Sequence, residues 1–187
     1  LANPRTRRAG LIGLAEAVVP TAGRTVMKVL PKGLASRAMG VAAQGGAAAD
    51  ATVPLGFATR EEFHAFGTRI RVHLDEAGYP DTVGIMQGSA VTGRKFTTGA
   101  PFDVGRRSDF DVALAGPDLH AAAIAVGVPM RSHGLRSAPL NPAQLEHLGL
   151  GQLSRHLNAT AGRKVFFMVY RSPDDAIARR PSIVMPQ

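Results

Sequence analysis

The chain has 187 residues, enough for one compact domain with an arm or for two small units. Hydrophobic residues make up 45% and aromatics 5% with no Trp, so Ala, Val, Leu and Ile must fill any core. The formal net charge of +8 favours acidic partners (nucleic acid, nucleotides or an acidic protein), and the absence of cysteine excludes disulfides and thiolate metal sites.

Residues 1–56 are rich in Ala and Gly and carry seven Arg/Lys against two acids, Glu16 and Asp50. Short helices are expected over 11–19, 25–30 and 34–43, followed by a Gly/Ala linker at 45–49. No apolar run reaches the roughly 18–20 residues that span a bilayer, so no stable membrane insertion is expected. The segment 1–56 reads as a helical arm or linker, and 57–187 as the main folded domain.

Thr59 and Glu62 have capping-box spacing, and Phe63, Phe66, Ile70 and Leu74 follow at helical intervals until Gly78-Tyr79-Pro80 stops the helix. Residues 82–87 (TVGIMQ) and 109–114 (DFDVAL) read as buried strands. Gly116-Pro117 opens a helix to about residue 126, and Asn141-Pro142 opens another, broken near 149–151 and resumed to about 157. A third strand is expected at 164–170 (KVFFMVY), then a short helix at 173–178 and an extended tail. This order predicts an α/β (α+β) domain with a small mixed sheet flanked by helices.

The residues with chemical content lie between 88 and 114. Asp109 and Asp111, two apart on a strand, point to one face, while Phe110 points to the other. Adjacent carboxylates repel unless a cation lies between them, which suits Mg²⁺ or Mn²⁺ shared with phosphate oxygens. Gly88 and Ser89 follow the first strand, where a glycine permits close approach of a phosphate and a hydroxyl can bond it. Arg94, Lys95, Arg106 and Arg107 lie in the loop between and are candidates for binding nucleotide phosphates. Arg171-Ser172 and His133 are further candidates for the same cleft. The plain alternatives are a solvated strand end and a solvated loop.

A Gly-Ser turn followed by an Asp-x-Asp strand resembles the nucleotidyltransferase superfamily. The resemblance covers about 30 residues closely and 57–172 by element order. It implies a nucleotidyltransferase-like fold, nucleoside triphosphate at Gly88 and Ser89, and metal at Asp109 and Asp111, with Ser89 and both aspartates as catalytic residues. Two departures stand out: the stretch from Ser89 to Asp109 is longer than the family's, and 164–170 lacks the third carboxylate that the family places on a later strand.

The run 88–114 and the ending YRSPDDAIARRPSIVMP also resemble C-terminal toxin domains of bacterial polymorphic toxins, including rearrangement-hotspot (Rhs) proteins. That resemblance implies a secreted effector of interbacterial competition, acting in the cytoplasm of a target bacterium. Its implied partners are a cognate immunity protein and a parent Rhs-type delivery shell. A start at Leu1 without Met suits release from such a shell. Taken together, the expected function is metal-dependent transfer of a nucleotidyl group to RNA, tRNA included, or to another cytoplasmic acceptor. The alternatives are a metal-dependent nuclease toxin and a non-enzymatic module that binds nucleotide or a partner.

Overall fold

A computed structural model describes residues 53–186. The arm expected over 1–52 lies outside the described residues. From residue 53 the chain already joins the domain. The Leu55 amide donates to the Ala90 carbonyl at 2.8 Å, and the Phe57 ring stacks on Phe110 with centroids 4.8 Å apart.

Helix α1 spans Arg60–Glu76. It starts where expected: the Thr59 hydroxyl accepts from the Glu62 amide at 3.2 Å. Glu62 reaches back past the cap and accepts from the Ala58 amide at 2.8 Å, which ties the residue before the cap to the first turn. The stripe Phe63, Phe66, Ile70 and Leu74 is buried. Strand β1 (Val83–Gln87) follows, then the single turn α2 (Ser89–Thr92) and strand β2 (Phe110–Ala115). Helix α3 is Pro117–Ala125, and two short strands, β3 (Met130–Arg131) and β4 (Arg136–Ser137), form a hairpin. The interrupted helix appears as α4 (Pro142–His147) and α5 (Gly151–Ala161), separated by Gly149 at φ 73°. Strand β5 (Val165–Tyr170), helix α6 (Pro173–Arg179) and strand β6 (Ile183–Val184) complete the order.

The result is a mixed α/β domain around an open six-stranded sheet in the order β3-β4-β5-β2-β1-β6. β2 and β5 run parallel at the centre, and the other pairs are antiparallel. Alternation assigns each strand residue to a face. Phe110, Val112 and Leu114 of β2, with Phe167 and Val169 of β5, pack in one buried cluster with residues of α1, α3, α4 and α5. Ala113, Ala115, Met168 and Tyr170 point the other way, onto Ala176 of α6. This second face is covered lightly. Small side chains let α6 sit close, and Gln87, fully buried, ties it down by donating to the Ala176 carbonyl at 2.9 Å. The Tyr170 hydroxyl donates to the Gln87 side-chain oxygen at 3.3 Å.

From sequence, residues 128–140 carry no expected element and 181–187 only an extended tail. The strands built there are two residues each, too short to show a hydrophobic period. They exist because the edges of β5 and β1 offer unpaired backbone groups.

Candidate active site

The register of the sheet brings the two halves of the motif together. Gln87, the last residue of β1, is opposite Asp111 of β2, so the Gly88-Ser89 turn leaves the strand beside the aspartates. Gly88 has φ 73° and ψ −150°, a conformation open to glycine and costly for other residues. A Cβ built on Gly88 would overlap Oδ2 of Asp111. Glycine is therefore required twice here, by its backbone angles and by the carboxylate lying against its α-carbon.

Gly88, Ser89, Asp109 and Asp111 line one cleft of about 790 Å³. Asp111 projects from the face that α6 covers, in the part of that face α6 leaves open. Its carboxyl is pushed above the usual range: burial is the main cause, Arg180 offsets part of the effect, and the nearby charge of Asp109 adds to it. Such a group gains most when a cation enters. Asp109 pairs with Arg106, with Nη1 to Oδ2 at 3.3 Å.

The cationic residues divide. Arg94, Lys95 and Arg106 line the cleft as expected. Lys95, however, spends its ammonium on the loop, donating to the carbonyls of Val104 at 2.7 Å and Arg106 at 3.1 Å. Arg94 donates to the Gly99 carbonyl at 3.1 Å. Arg107 is not among the cleft residues: its Nη1 donates to the carbonyl of Gly162, the C-cap of α5, where a cation meets the negative end of the helix. Arg171 and Ser172 are also elsewhere. Ser172 caps α6 by accepting from the Asp175 amide at 3.2 Å, and Arg171 pairs with Asp175 at 3.1 Å. His133 sits at φ 56° in the β3–β4 turn and does not line the cleft.

Four features of the site were not legible in the sequence. Arg179 and Arg180, at the end of α6, also line the cleft, so five cationic side chains line it against two carboxylates. Phe166 stands beside Asp111 in the parallel register of β5 and also lines the cleft. Phe96 lies at the rim. Finally, Arg163 closes the base of the loop. Its buried guanidinium donates to both Asp103 oxygens at 3.1 Å and to the Ser108 carbonyl at 3.0 Å, and lies 4.6 Å over the Phe110 ring centroid. Burial opposes ionisation of Asp103, but the Arg163 hydrogen bonds, the Ser108 amide and the charges of Arg163 and Arg107 together hold its carboxyl below the usual range. The Arg-Arg pair at the end of an expected helix was the one available signal. Nothing local marks Phe166 or the Asp103–Arg163 pairing.

Among the described residues no group of three or more His, Cys, Asp or Glu side chains is arranged to hold a metal. Two carboxylates plus substrate phosphate oxygens are nevertheless a donor set that Mg²⁺ accepts. Asp109 and Asp111, which line the same cleft, supply two such carboxylates, and the raised proton affinity of Asp111 is what an adjacent cation would reverse. Compared with known proteins, the chain matches no family model, and no curated protein or solved structure gives a significant match.

Proposed function

We propose that the domain is a metal-dependent nucleotidyl-transferring enzyme, a bacterial toxin that modifies RNA or another cytoplasmic acceptor at the expense of a nucleoside triphosphate. The observation that carries this reading is the packing of the Asp111 carboxylate on the α-carbon of Gly88, in a cationic cleft that Ser89 and Asp109 also line. The sheet supports it too, since a helix, the Gly-Ser strand, the Asp-x-Asp strand and a later parallel strand follow in the order that motivated the resemblance. The toxin context, with its immunity protein and delivery shell, is supported by the resemblance of the sequence runs.

In the proposed reaction the triphosphate lies along the Gly88-Ser89 turn, with the Ser89 hydroxyl donating to a terminal phosphate oxygen. Arg106, Arg179 and Arg180 balance the polyphosphate charge. An acceptor hydroxyl attacks the α-phosphorus, the bond to the bridging oxygen of the β-phosphate breaks, and pyrophosphate leaves with the electron pair. The hydroxyl proton passes to water, because Phe166 rather than a carboxylate neighbours Asp111. Asp109 and Asp111 would hold Mg²⁺ or Mn²⁺, which supplies charge neutralisation at the reacting phosphate. The protein's own contribution is position and electrostatics in a preformed cleft.

A second reading, a module that binds polyanions without chemistry, is favoured by one observation: Arg106 already neutralises Asp109. One experiment separates the two. The chain is incubated with each α-labelled triphosphate and total RNA or lysate, with Mg²⁺ or with chelator. Label is expected on an acceptor from at least one triphosphate, lost with chelator and with Asp109→Asn or Asp111→Asn. RNA cleavage without label would instead identify a nuclease. Binding with neither outcome would leave the non-enzymatic module.

A further inference from the structure

Phe96 is 98% exposed, the most open large apolar side chain among the described residues. It is not on a loose tip. The turn that presents it is closed across its neck by Lys95 N to Ala100 O and Gly99 N to Lys95 O, both 2.8 Å, and by the Arg94 guanidinium on Gly99. The loop is fastened below by Lys95 on Val104 and Arg106 and by Arg163 on Asp103. A ring held open to water beside a cleft meets a flat partner without having to be ordered first.

The neighbours decide what kind of partner. Arg94 and Lys95 precede the ring, Arg106 shares its cleft, and Arg179 and Arg180 lie in the same lining. Within 93–108 only Val104, at 56%, shares the apolar exposure. That surface is small and ringed by charge, unlike the core of a protein contact, from which charge is depleted. One aromatic face among cations suits a nucleobase with its phosphodiester chain. Arg136 on β4, outside the cleft, has its proton affinity lowered first by burial and then by the charge of Arg179, so the positive field of the cleft is felt on that strand as well.

We infer that the cleft takes the single-stranded end of a nucleic acid, with one base stacked on Phe96 and the backbone following the arginines of the cleft and of α6. This rests on the function proposed above and names its acceptor class.

The test uses the full chain. With no Trp in the sequence, Phe96→Trp introduces a single reporter. In chelator, so that no transfer occurs, its emission is followed with a short single-stranded RNA, with an abasic phosphodiester chain of equal length, and with each nucleoside triphosphate. Quenching by the RNA and not by the abasic chain is expected. Labelled RNA should bind Phe96→Ala about tenfold or more weakly than the native chain, with unchanged melting. Equal binding by Phe96→Ala, or equal quenching by the abasic chain, would overturn the inference. Quenching by a triphosphate alone would assign the ring to the nucleotide and overturn the acceptor reading. Failure to quench with any of these, alongside loss of binding to a protein on Phe96→Ala, would make the ring a protein contact and overturn it too. Because these readouts need no catalysis, transfer activity that survives a negative result, or stacking without transfer, tells the two proposals apart.

Discussion

Burial holds the Asp111 carboxyl above its ordinary proton affinity, Arg180 offsets part of this, and Asp109 adds to it. Its folded pKa therefore exceeds its unfolded one. The group's contribution to stability is fully present below the unfolded carboxylate pKa and is lost as pH rises through the folded value. At neutral pH the ionised, metal-free side chain works against the fold. Asp111→Asn should accordingly melt higher than the native chain at neutral pH in chelator, the gap closing in acid, while the label transfer proposed above should disappear. A lower melting temperature for the variant across this range would show that Asp111 supports the fold. Gly88 makes the opposite case. Gly88→Ala drives a methyl into Asp111 Oδ2 and forces φ 73° on a residue with a Cβ. It should destabilise by about 1–3 kcal/mol in urea unfolding and abolish transfer, because relieving the overlap moves the carboxylate.

The loop 93–108 behaves as an element in its own right, and neighbouring arginines in it do different work. Arg106 is largely exposed and pairs with Asp109 at the cleft; Arg106→Ala should cost under about 1 kcal/mol in stability and weaken binding of polyanions. Arg107 instead meets the C-terminal end of α5, so Arg107→Ala should lower melting slightly and leave binding unchanged. Arg163 is the anchor, with only 5% of its side chain exposed while Asp103 is 38% exposed. Losing a pair that is buried on one side and wet on the other should cost about 2 kcal/mol for Arg163→Ala. Limited proteolysis should then cut the variant between 93 and 108 faster than the native chain. Equal cutting rates would mean that Arg94 and Lys95 suffice to hold the loop.

For the whole molecule, one buried cluster within the described residues links α1 to the central strands. A chain of residues 53–187 should therefore give the circular dichroism and cooperative melting of the same domain in the full protein. One starting at 58 should be weaker, because it lacks Phe57, which stacks on Phe110 and meets Phe63 and Phe66 edge-on at 5.3 Å. Equal stability of the two truncations would show that this aromatic cluster contributes little. The excess of cations in the cleft adds a property of the whole surface: affinity for RNA should fall steeply with salt, as expected when phosphate contacts release counterions.

Local chemistry determined much of this protein on its own. The cap at Thr59, the Phe-Phe-Ile-Leu stripe, the Pro-opened helices and the apolar strands are readable because their causes act within about one turn or one pleat. The same holds for Asp109 and Asp111, whose spacing puts them on one face, and for the glycine that the turn after β1 requires. What local chemistry leaves open is everything that depends on register and closure. Arg106 and Arg107 are adjacent, yet one faces the cleft and the other a helix end. Asp103 and Arg163 are separated by 60 residues and meet only because the loop packs against β2 and the end of α5. Phe166 reaches the side of Asp111 through the parallel pairing of β2 with β5, and Arg179 and Arg180 reach the cleft because α6 lies across that face. The two-residue strands form only where an existing edge supplies partners. Each of these rests on packing between distant segments, whose free energy is shared across the whole core and leaves no mark in any one stretch of sequence.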